Sequence, residues 1–338
     1  MSTSQLPKKS TGSFIRILPL VYLWILGQAR LLNFLALISH IDPLTEEKDI
    51  FILKLEGKEK LQGRSFLSKI SMESTHKKLS LILPAYNKDS EIFQVVSNLV
   101  NQLKILPYSW EIIVVDDASR DHTLREAIRS KKFNGNTDHI KIFSYDLNQG
   151  KGFASYFGFK KSIGDIVIFA DSDLDLPAEN IPILIKYFQK EDVQIALGSK
   201  RHPLSKVRYP LTRRVMSKAY QLLIKLLFNL NVSDTQVGLK VFKRQVLEDC
   251  FPRIVVKQFA FDLELLVVAK SLGSNEIVEA PIILNYQFSS TIRLKTIFSI
   301  LQDTLAIFYR KNWLDYYRKA HYRLEQNEAL TTPQKVLI

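Results

Sequence analysis

Cysteine is nearly absent from this sequence, since Cys250 is the only one among 338 residues. A single cysteine excludes an internal disulfide framework and is typical of a protein in a reducing compartment. The six histidines are scattered along the chain without the paired spacing of a zinc site. We therefore expect any metal ion to be held by carboxylates, which are the ligands that magnesium and manganese prefer.

The sequence also lacks an uninterrupted hydrophobic run long enough to span a bilayer. Its most apolar stretch, residues 14–41, is interrupted by Pro19, Gln28 and Arg30. We predict an N-terminal helix that lies in the membrane interface or packs on the domain, with a single spanning anchor as the alternative. No small-residue cleavage site follows this stretch, so a cleaved signal peptide is not expected.

The charge is strongly unbalanced towards one sign, with a formal net charge of +13 and a pI near 9.5. Such a balance indicates an anionic partner, which can be a nucleic acid, an anionic membrane surface or a substrate that carries phosphate. No stretch resembles a nucleic-acid recognition module, so no nucleic-acid partner is expected. The alternative from a different functional class is a non-catalytic basic protein that binds nucleic acid or a membrane.

Short apolar runs alternate with segments of helical spacing from Leu79 onwards. The runs are LSLILPAYN, WEIIVVDD, HIKIFSYD and DIVIFADSD. This alternation predicts βαβ units and a mostly parallel sheet that is flanked by helices. Functional groups in such sheets collect at the carboxyl ends of the strands. The polar groups expected there lie at residues 84–87, 116–117, 148–152 and 171–175.

Gly150 and Gly152 follow a predicted strand, as in a dinucleotide-binding fingerprint. Ser155 stands where the third glycine of that fingerprint belongs, and the unit is the third rather than the first. The stretch also lacks the upstream glycine and the Ser or Thr of a phosphate-binding Walker loop. Neither type of nucleotide site is therefore predicted here.

Three aspartates at alternate positions end the fourth run, at Asp171, Asp173 and Asp175. Carboxylates this close repel one another unless a cation or hydrogen-bond donors neutralise them. A divalent ion held there would neutralise the phosphates of a nucleotide diphosphate and stabilise it as a leaving group. Asp175 precedes Leu176-Pro177, which equally fits a loop or the entry to a helix.

Two further groups fit such a nucleotide site. Asp116 or Asp117 can accept hydrogen bonds from a base or ribose, and Lys151 can approach phosphate or remain a solvated loop lysine.

The motifs LILPAYN, EIIVVDDASRDHT, NQGKGFA and GDIVIFADSDLD resemble those of the inverting family 2 glycosyltransferases. That resemblance implies a GT-A fold, a nucleotide-sugar donor and Mg²⁺ or Mn²⁺ as the metal. The later stretches ALGSKRHPLSKV, RRVMSKAYQLL, VSDTQVGLKVFKR and FAFDLELLVVAKSLG resemble the branch that makes polyprenyl-phosphate or dolichyl-phosphate sugars. The resemblance runs from about Leu79 to about Tyr309.

Carried over position by position, the resemblance implies a donor site with Asp173 as the direct metal ligand and Asp171 beside it. The donor-site residues are Pro84, Tyr86, Asp117, Lys151, Asp171 and Asp173, and Asp116 is a further candidate. The family commonly has an acidic residue directly after Asn87, whereas Lys88 stands there in this chain. Asp89, one position later, is the candidate that remains for a nucleotide contact.

The acceptor side of the site is implied by the later motifs. The resemblance places Asp234, Gln236 and Lys240 near the acceptor phosphate and sugar, and FAFDLE supplies Asp262 and Glu264 beside the active site. Acids at the start of a helix also serve as caps, which is the alternative for Asp262. A basic cluster at Arg201, Arg208, Arg213 and Arg214 suits a lipid phosphate, and Arg201, Arg213, Arg214 and Lys240 are the candidates for that phosphate.

The nature of the acceptor decides what chemistry is expected. A phosphate monoester is already anionic near neutral pH, so its oxygen attacks without a strong general base. A glycan or another non-phosphate acceptor would instead require a base, such as Asp234 or Asp262. Residues 291–338 mix aromatic and basic residues, which fits either an amphipathic helix at a membrane surface or a helix that covers the sheet.

The sequence thus predicts a glycosyltransferase on the cytoplasmic side of a membrane, attached peripherally or by one N-terminal anchor. We expect it to transfer a hexose to polyprenyl or dolichyl phosphate, with UDP-glucose favoured as the donor and GDP-mannose next. The expected organisation is a basic tail at 1–13, the hydrophobic helix at 14–41, a connector at 42–77, the catalytic domain at 78–290 and the C-terminal helical region at 291–338.

Overall fold

A sheet of eight strands organises the fold. The structure is a computed structural model, and it describes residues 77–208, 211–258, 260–285, 294–319 and 335–337. The strands are β1 Lys78–Ala85, β2 Ser109–Asp116, β3 Ile140–Ser144, β4 Ile166–Phe169, β5 Ile195–Ser199, β6 Lys206–Arg208, β7 Lys240–Lys243, β8 Ile277–Pro281, β9 Ile283–Asn285 and β10 Lys335–Leu337. The α-helices are α1 Ile92–Leu103, α2 Thr123–Phe133, α3 Lys151–Lys161, α4 Asn180–Phe188, α5 Leu211–Phe228, α6 Arg244–Cys250, α7 Phe261–Ser271, α8 Leu294–Asn312 and α9 Tyr316–Lys319.

The large sheet is mixed, with the strand order β10-β3-β2-β1-β4-β7-β5-β8. Strands β3, β2, β1 and β4 run parallel to one another, and β5 runs parallel to β8. Strand β7 is antiparallel to both β4 and β5, and β10 is antiparallel to β3. Strands β6 and β9 form a separate parallel pair. The mixed, mostly parallel sheet flanked by helices, which the sequence predicts, is confirmed.

Helices cover both faces of the central strands, which explains why their sequences are continuous apolar runs. Successive side chains of a strand point to opposite faces. Leu81 accordingly packs in the cluster that includes α1 and α4. Ile82, its neighbour, packs on the other face in the cluster that includes α7. The central strands are therefore held by apolar burial from both sides.

The antiparallel direction of β7 brings a distant segment to the carboxyl edge of the sheet. Phe169, the last residue of β4, pairs with Lys240, the first residue of β7. The chain that enters β7 must therefore run beside the chain that leaves β4. Residues 233–239 and 171–175 meet for this reason, although about 60 residues separate them.

Of the two predicted membrane-interface helices, the structure describes only the C-terminal one. Residues 14–41 lie outside the described residues, so the N-terminal helix stays a prediction. At the C-terminal end, α8 occupies Leu294–Asn312. Within the part of the chain that the structure describes, no helix combines the length and the apolar character needed to cross a membrane.

A buried carboxylate stabilises the start of the central strands. Glu111 is 1% exposed and accepts hydrogen bonds from Ser80 Oγ at 2.6 Å, Lys141 Nζ at 2.7 Å and the Ile163 amide at 2.8 Å. Burial alone would raise the pKa of Glu111, but these donors together lower it. Its contribution to stability is thus present above the pKa of the unfolded chain and is lost as the pH falls through the folded value.

We expect Glu111→Gln to lower the free energy of unfolding by about 3 kcal/mol at pH 7, because Lys141 then loses its buried partner. The loss should shrink as the pH falls from the ordinary glutamate range, at about 4, through the lowered pKa of the folded carboxylate, because the wild-type group then becomes protonated as well. Urea unfolding at both pH values measures this. Glu126→Gln, which removes a pair with the exposed Arg129, is the control and should cost less than about 1 kcal/mol. An equal loss in both variants would contradict the assignment.

Candidate functional site

The carboxyl end of β2 organises the loop that precedes α3. Asp117 is buried, and its carboxylate accepts hydrogen bonds from Tyr145 Oη at 2.7 Å, Asn148 Nδ2 at 3.0 Å, and the amides of Gln149 at 2.7 Å and Gly150 at 2.9 Å. Burial raises the pKa of Asp117 although these donors oppose it. The carboxylate thus fixes the position of the turn that follows.

Asp116 is tied to the neighbouring strand. Its carboxylate accepts hydrogen bonds from Ser144 Oγ at 2.9 Å and from the Ser119 amide at 3.3 Å. Both aspartates after β2 are therefore engaged by protein donors at the sheet edge.

Both glycines of the Gly150-Lys151-Gly152 turn are packed against protein rather than open to a ligand. Gly150 has φ +93°, and a Cβ there would lie 2.6 Å from the carbonyl oxygen of Lys257. A Cβ on Gly152 would lie 2.8 Å from the ring of Phe261. The Gly152 amide donates to the Lys257 carbonyl at 2.8 Å. Close packing and backbone conformation, not a dinucleotide, explain these glycines.

Four charged side chains of alternating sign lie at the edge of the sheet. Lys151 Nζ lies 2.7 Å from Asp171 Oδ1 and 3.0 Å from Asp262 Oδ2. Lys240 Nζ donates to Asp262 Oδ1 at 2.8 Å and to the carbonyl of Val237. We call Asp171, Lys151, Asp262 and Lys240 the charge series. Their formal charges cancel, which allows the series to be largely buried.

Asp262 and Lys240 are the most deeply buried members of the charge series. Lys240 is 1% exposed and Asp262 is 5% exposed, whereas the Lys151 side chain is 25% exposed. Burial alone would raise the pKa of Asp262, but the charges of Lys151 and Lys240 lower it. Asp262 is therefore an ionised carboxylate held between two cations. Lys151 and Asp171 form the end of the series that solvent reaches.

Asp173 lies beside the exposed end and differs from Asp171. Its Oδ1 is buried and has no hydrogen-bond partner among the described atoms. Burial and then the charge of Asp171 raise the pKa of Asp173 to about 6. Asp171 and Asp173 both line a cavity of about 240 Å³ between α1 and the loop after β4. A buried carboxylate oxygen without a donor is the kind of group that a cation satisfies.

Glycine 238 permits the position of Asp171. A Cβ at Gly238 would lie 1.8 Å from Asp171 Oδ2 and 2.1 Å from its Cγ, far inside contact distance. The carboxylate of Asp171 thus rests directly on the backbone that leads into β7. The only sequence signal for Gly238 is its place within SDTQVGLK, because a glycine alone does not indicate which side chain approaches it.

The loop after β1 is tied to the loop after β2. Asn87 donates its amide to Ser119 Oγ at 2.9 Å and accepts from the Arg120 amide at 2.9 Å. The amide of Asp89 donates to Asp121 at 3.2 Å. Pro84 lies within β1, and Tyr86, the first residue beyond the strand, is exposed. The predicted donor residues of this loop thus lie at the same edge as Asp116.

Lys88 occupies the position where the family commonly has an acid. Its Nζ lies 3.2 Å from Glu91 Oε1, and Glu91 Oε2 accepts from the amide of Leu174 at 3.2 Å. This pair connects the start of α1 to the loop that carries Asp173.

The predicted acceptor residues Asp234, Gln236 and Lys240 differ in their partners. Asp234 is buried and accepts from the amides of Lys200 and Gln236, each at 3.2 Å, and its Oδ2 lies 3.5 Å from Lys200 Nζ. Gln236 Nε2 is buried and has no partner among the described atoms. Lys240 lies at the buried end of the charge series. Lys200 was not predicted, because only the folded loop brings it to Asp234.

The basic cluster is described in part. Arg201 Nη2 donates to Ser217 Oγ on α5 at 3.2 Å. Arg213 and Arg214 lie in the first turn of the same helix, and their side chains lie outside the described part of the structure. Arg201 is thus placed beside the helix that carries the other two.

Two kinds of comparison place this chain among known proteins. The sequence model of glycosyl transferase family 2 matches residues 80–251, which is half of the chain. Dolichyl-phosphate beta-glucosyltransferases are similar to it in sequence. The one from Dictyostelium discoideum is 26% identical over 76% of this chain and 81% of its own length. One from Trichomonas vaginalis is 30% identical over 69% and 74%, and the human protein is 29% identical over 76% and 81%.

Solved structures share the fold at lower identity. Glucosyl-3-phosphoglycerate synthase from Mycobacterium tuberculosis, in complex with Mn²⁺ and UDP-glucose, aligns with a TM-score of 0.53 and 21% identity. The alignment covers 69% of this chain and 78% of that protein. Mannosyl-3-phosphoglycerate synthase from Rubrobacter xylanophilus aligns with a TM-score of 0.52 over 77% of each chain. The fold is therefore GT-A, and the chain belongs to glycosyl transferase family 2.

Proposed function

We propose that this glycosyltransferase moves a hexose from a nucleotide diphosphate sugar to polyprenyl or dolichyl phosphate. UDP-glucose is the favoured donor and GDP-mannose the next candidate. The relatives named dolichyl-phosphate beta-glucosyltransferase support the acceptor class and the sugar. The observation that carries the proposal comes from the site itself. Both candidate general bases, Asp234 and Asp262, are already paired with lysine side chains.

Asp234 and Asp262 are the carboxylates that a non-phosphate acceptor would need as a base. Asp262 is held by Lys151 and Lys240, which keep its pKa low. Asp234 is held by Lys200 and by backbone amides. A carboxylate with a lowered pKa, as at Asp262, is a weak proton acceptor, and the oxygens of Asp234 are already engaged by these donors. An acceptor that is already an anion, such as a phosphate monoester, needs no base and fits this arrangement best.

The donor diphosphate is assigned to the exposed end of the charge series. Lys151 is the partly exposed cation there, and it orients the anion that approaches beside Asp171 and Asp173. Asp171 and Asp173 would hold Mg²⁺ or Mn²⁺, because the unpartnered oxygen of Asp173 is a free carboxylate ligand. Such an ion neutralises the departing nucleoside diphosphate. Mg²⁺ commonly binds through one or two carboxylates together with substrate phosphates.

That ligand count agrees with the protein side chains present. In the described part of the chain, no three His, Cys, Asp or Glu side chains form a complete metal site. A pair of carboxylates completed by the donor's phosphates is therefore the arrangement we propose.

A membrane surface is the proposed location of the lipid acceptor. One face of α8 exposes Phe298, Leu305 and Tyr309, and Trp313 follows on the same line. These positions are spaced seven, four and four residues apart, so they form one stripe on the helix. Lys311 lies in the last turn, and the exposed basic residues Arg318 and Lys319 follow in α9. An apolar stripe with aromatic residues beside basic ones suits a headgroup layer. With residues 14–41, this stripe would attach the enzyme at the cytoplasmic side.

A transfer assay tests the proposed acceptor. We expect purified protein with Mn²⁺ to move radiolabelled hexose from UDP-glucose or GDP-mannose to dolichyl phosphate, giving a lipid product that mild acid hydrolyses. Dolichol, which lacks the phosphate, is the matched control and should receive at least about a hundredfold less label, because it needs a base. A chelator should remove the activity. Transfer to a soluble sugar with none to polyprenyl phosphate would overturn the proposal.

Gly238→Ala tests the assignment of Asp171 to the donor site. The added methyl group must displace the carboxylate, so we expect the KM for the donor to rise at least about tenfold. Gly273→Ala is the control, because a methyl group there meets no described atom within 4 Å. Its φ of +95° strains an alanine, so this substitution should lower stability without changing the donor KM. An unchanged donor KM in a folded Gly238→Ala protein would contradict the assignment. Asp171→Ala should relieve the loss of thermal stability that Gly238→Ala causes.

A further inference from the structure

Glu264 is fully buried and its carboxylate joins two parts of the chain. Oε2 accepts hydrogen bonds from the amides of Val255 at 2.9 Å and Val256 at 2.6 Å. Oε1 accepts from Tyr317 Oη at 2.6 Å and Arg310 Nη2 at 2.9 Å. One oxygen thus holds the backbone before α7, and the other oxygen holds the two C-terminal helices, α8 and α9.

The backbone that Glu264 holds continues directly to the Lys151 turn. The carbonyl of Lys257 accepts the Gly152 amide at 2.8 Å. Lys257 and Gln258 also form the surface against which Gly150 packs. Lys257 Nζ lies 5.5 Å from the centre of the Phe153 ring in the first turn of α3. Residues 255–258 therefore form one wall of the turn that presents Lys151.

The C-terminal residues compensate the burial of this carboxylate and hold it in place. A buried carboxylate is stable only when cations and donors compensate its lost hydration. Arg310 is the cation that pairs with Glu264, and its Nε also donates to Tyr317 Oη at 3.1 Å. Removing one of these donors leaves Oε1 less well satisfied and weakens the hold of Oε2 on Val255 and Val256.

We infer that Arg310 and Tyr317 are positioning residues for Lys151, acting through Glu264 and the backbone of residues 255–257. They lie on the C-terminal helices and have no place in the charge series itself. The inference rests on the proposed function in one respect, namely that Lys151 contacts the donor diphosphate. We call this chain of contacts, from Arg310 and Tyr317 through Glu264 and residues 255–257 to the Lys151 turn, the contact path. Through it, the packing of α8 and α9 against α7 helps to position the donor site.

The consequence concerns donor binding more than acceptor binding. Lys151 belongs to the donor end of the site, and a small displacement of its turn changes the distances to Asp171 and Asp262. Positioning errors of about 1 Å are enough to cost large factors in rate. Loss of the Tyr317 hydroxyl should therefore raise the KM for the donor and leave the KM for the lipid acceptor unchanged.

Tyr317→Phe removes one donor to Glu264 and keeps the ring. Tyr316→Phe is the matched control, because in the described part of the chain the Tyr316 hydroxyl makes no hydrogen bond, while its ring packs against Tyr317. We expect hydrogen exchange to accelerate in Tyr317→Phe at the amides of Val255, Val256 and Gly152. The KM for the donor that wild type uses should rise about fivefold, a change of about 1 kcal/mol by the tenfold rule.

Arg310 gives the second pair of variants. Arg310→Met should raise the same KM further, because Glu264 then loses its cation, and Arg310→Lys should recover part of the loss. Unchanged exchange at Gly152 together with an unchanged donor KM would overturn the inference. So would a loss of thermal stability with equal effects on donor and acceptor, since that is the signature of a purely structural role.

The test separates this inference from the proposed function. If wild type binds neither UDP-glucose nor GDP-mannose by calorimetry, the proposed function fails. Exchange at Gly152 still reports on the contact path in that case. If wild type binds a donor and Tyr317→Phe binds it equally well with normal exchange, only the positioning inference fails.

Discussion

Lys151 and Lys240 lie on opposite sides of Asp262, and Asp171 ends the series at the edge of the sheet. The four side chains come from α3, from the loop after β4, from β7 and from the first turn of α7. Each ion compensates its neighbour, and removal of one would leave a buried charge without a partner. The positions of these segments at the site are therefore interdependent. The same charges hold these segments together at this edge, and the exposed end of the series is where we propose that the donor diphosphate binds with a divalent ion.

The antiparallel strand β7 makes the charge series possible. It enters the sheet beside the end of β4, so Lys240 and Gly238 arrive next to Asp171. A parallel strand in this position would begin at the opposite edge, and its first residues would be remote from the site. The close approach of backbone to carboxylate at Gly238 follows from that direction. Sheet topology, more than any single contact, determines which residues form the site.

Much of the architecture could be predicted from the sequence, because the central strands are buried on both faces and read as continuous apolar runs. Asp171, Lys151, Asp262 and Lys240 were each named from motifs, but their mutual contacts were not. Lys151 and Asp262 lie 111 residues apart in sequence. No local pattern specifies that they pair, and the direction of β7 is equally invisible in a single sequence.

Other residues show the same limit in different ways. The sequence offers Asp116 or Asp117 for contact with a base or ribose, and the structure surrounds the Asp117 carboxylate with donors from residues 145–150. Its nucleotide contact stays a prediction. Lys200 and Gly238 carry no chemical signal on their own, because their importance arises only when a remote carboxylate approaches them. Glu264 was named beside the active site, whereas its carboxylate faces the C-terminal helices and the backbone before α7.

The central claim is that the exposed end of the charge series holds the donor diphosphate together with a divalent ion. Calorimetry of UDP-glucose binding with and without Mn²⁺, in wild type and in Asp173→Asn, tests it most directly, with Asp175→Asn as the control on the same loop. The account predicts Mn²⁺-dependent binding that weakens at least about tenfold in Asp173→Asn, a loss of about 1.4 kcal/mol, and much less in Asp175→Asn. Equal Mn²⁺-dependent affinity in wild type and Asp173→Asn would contradict it.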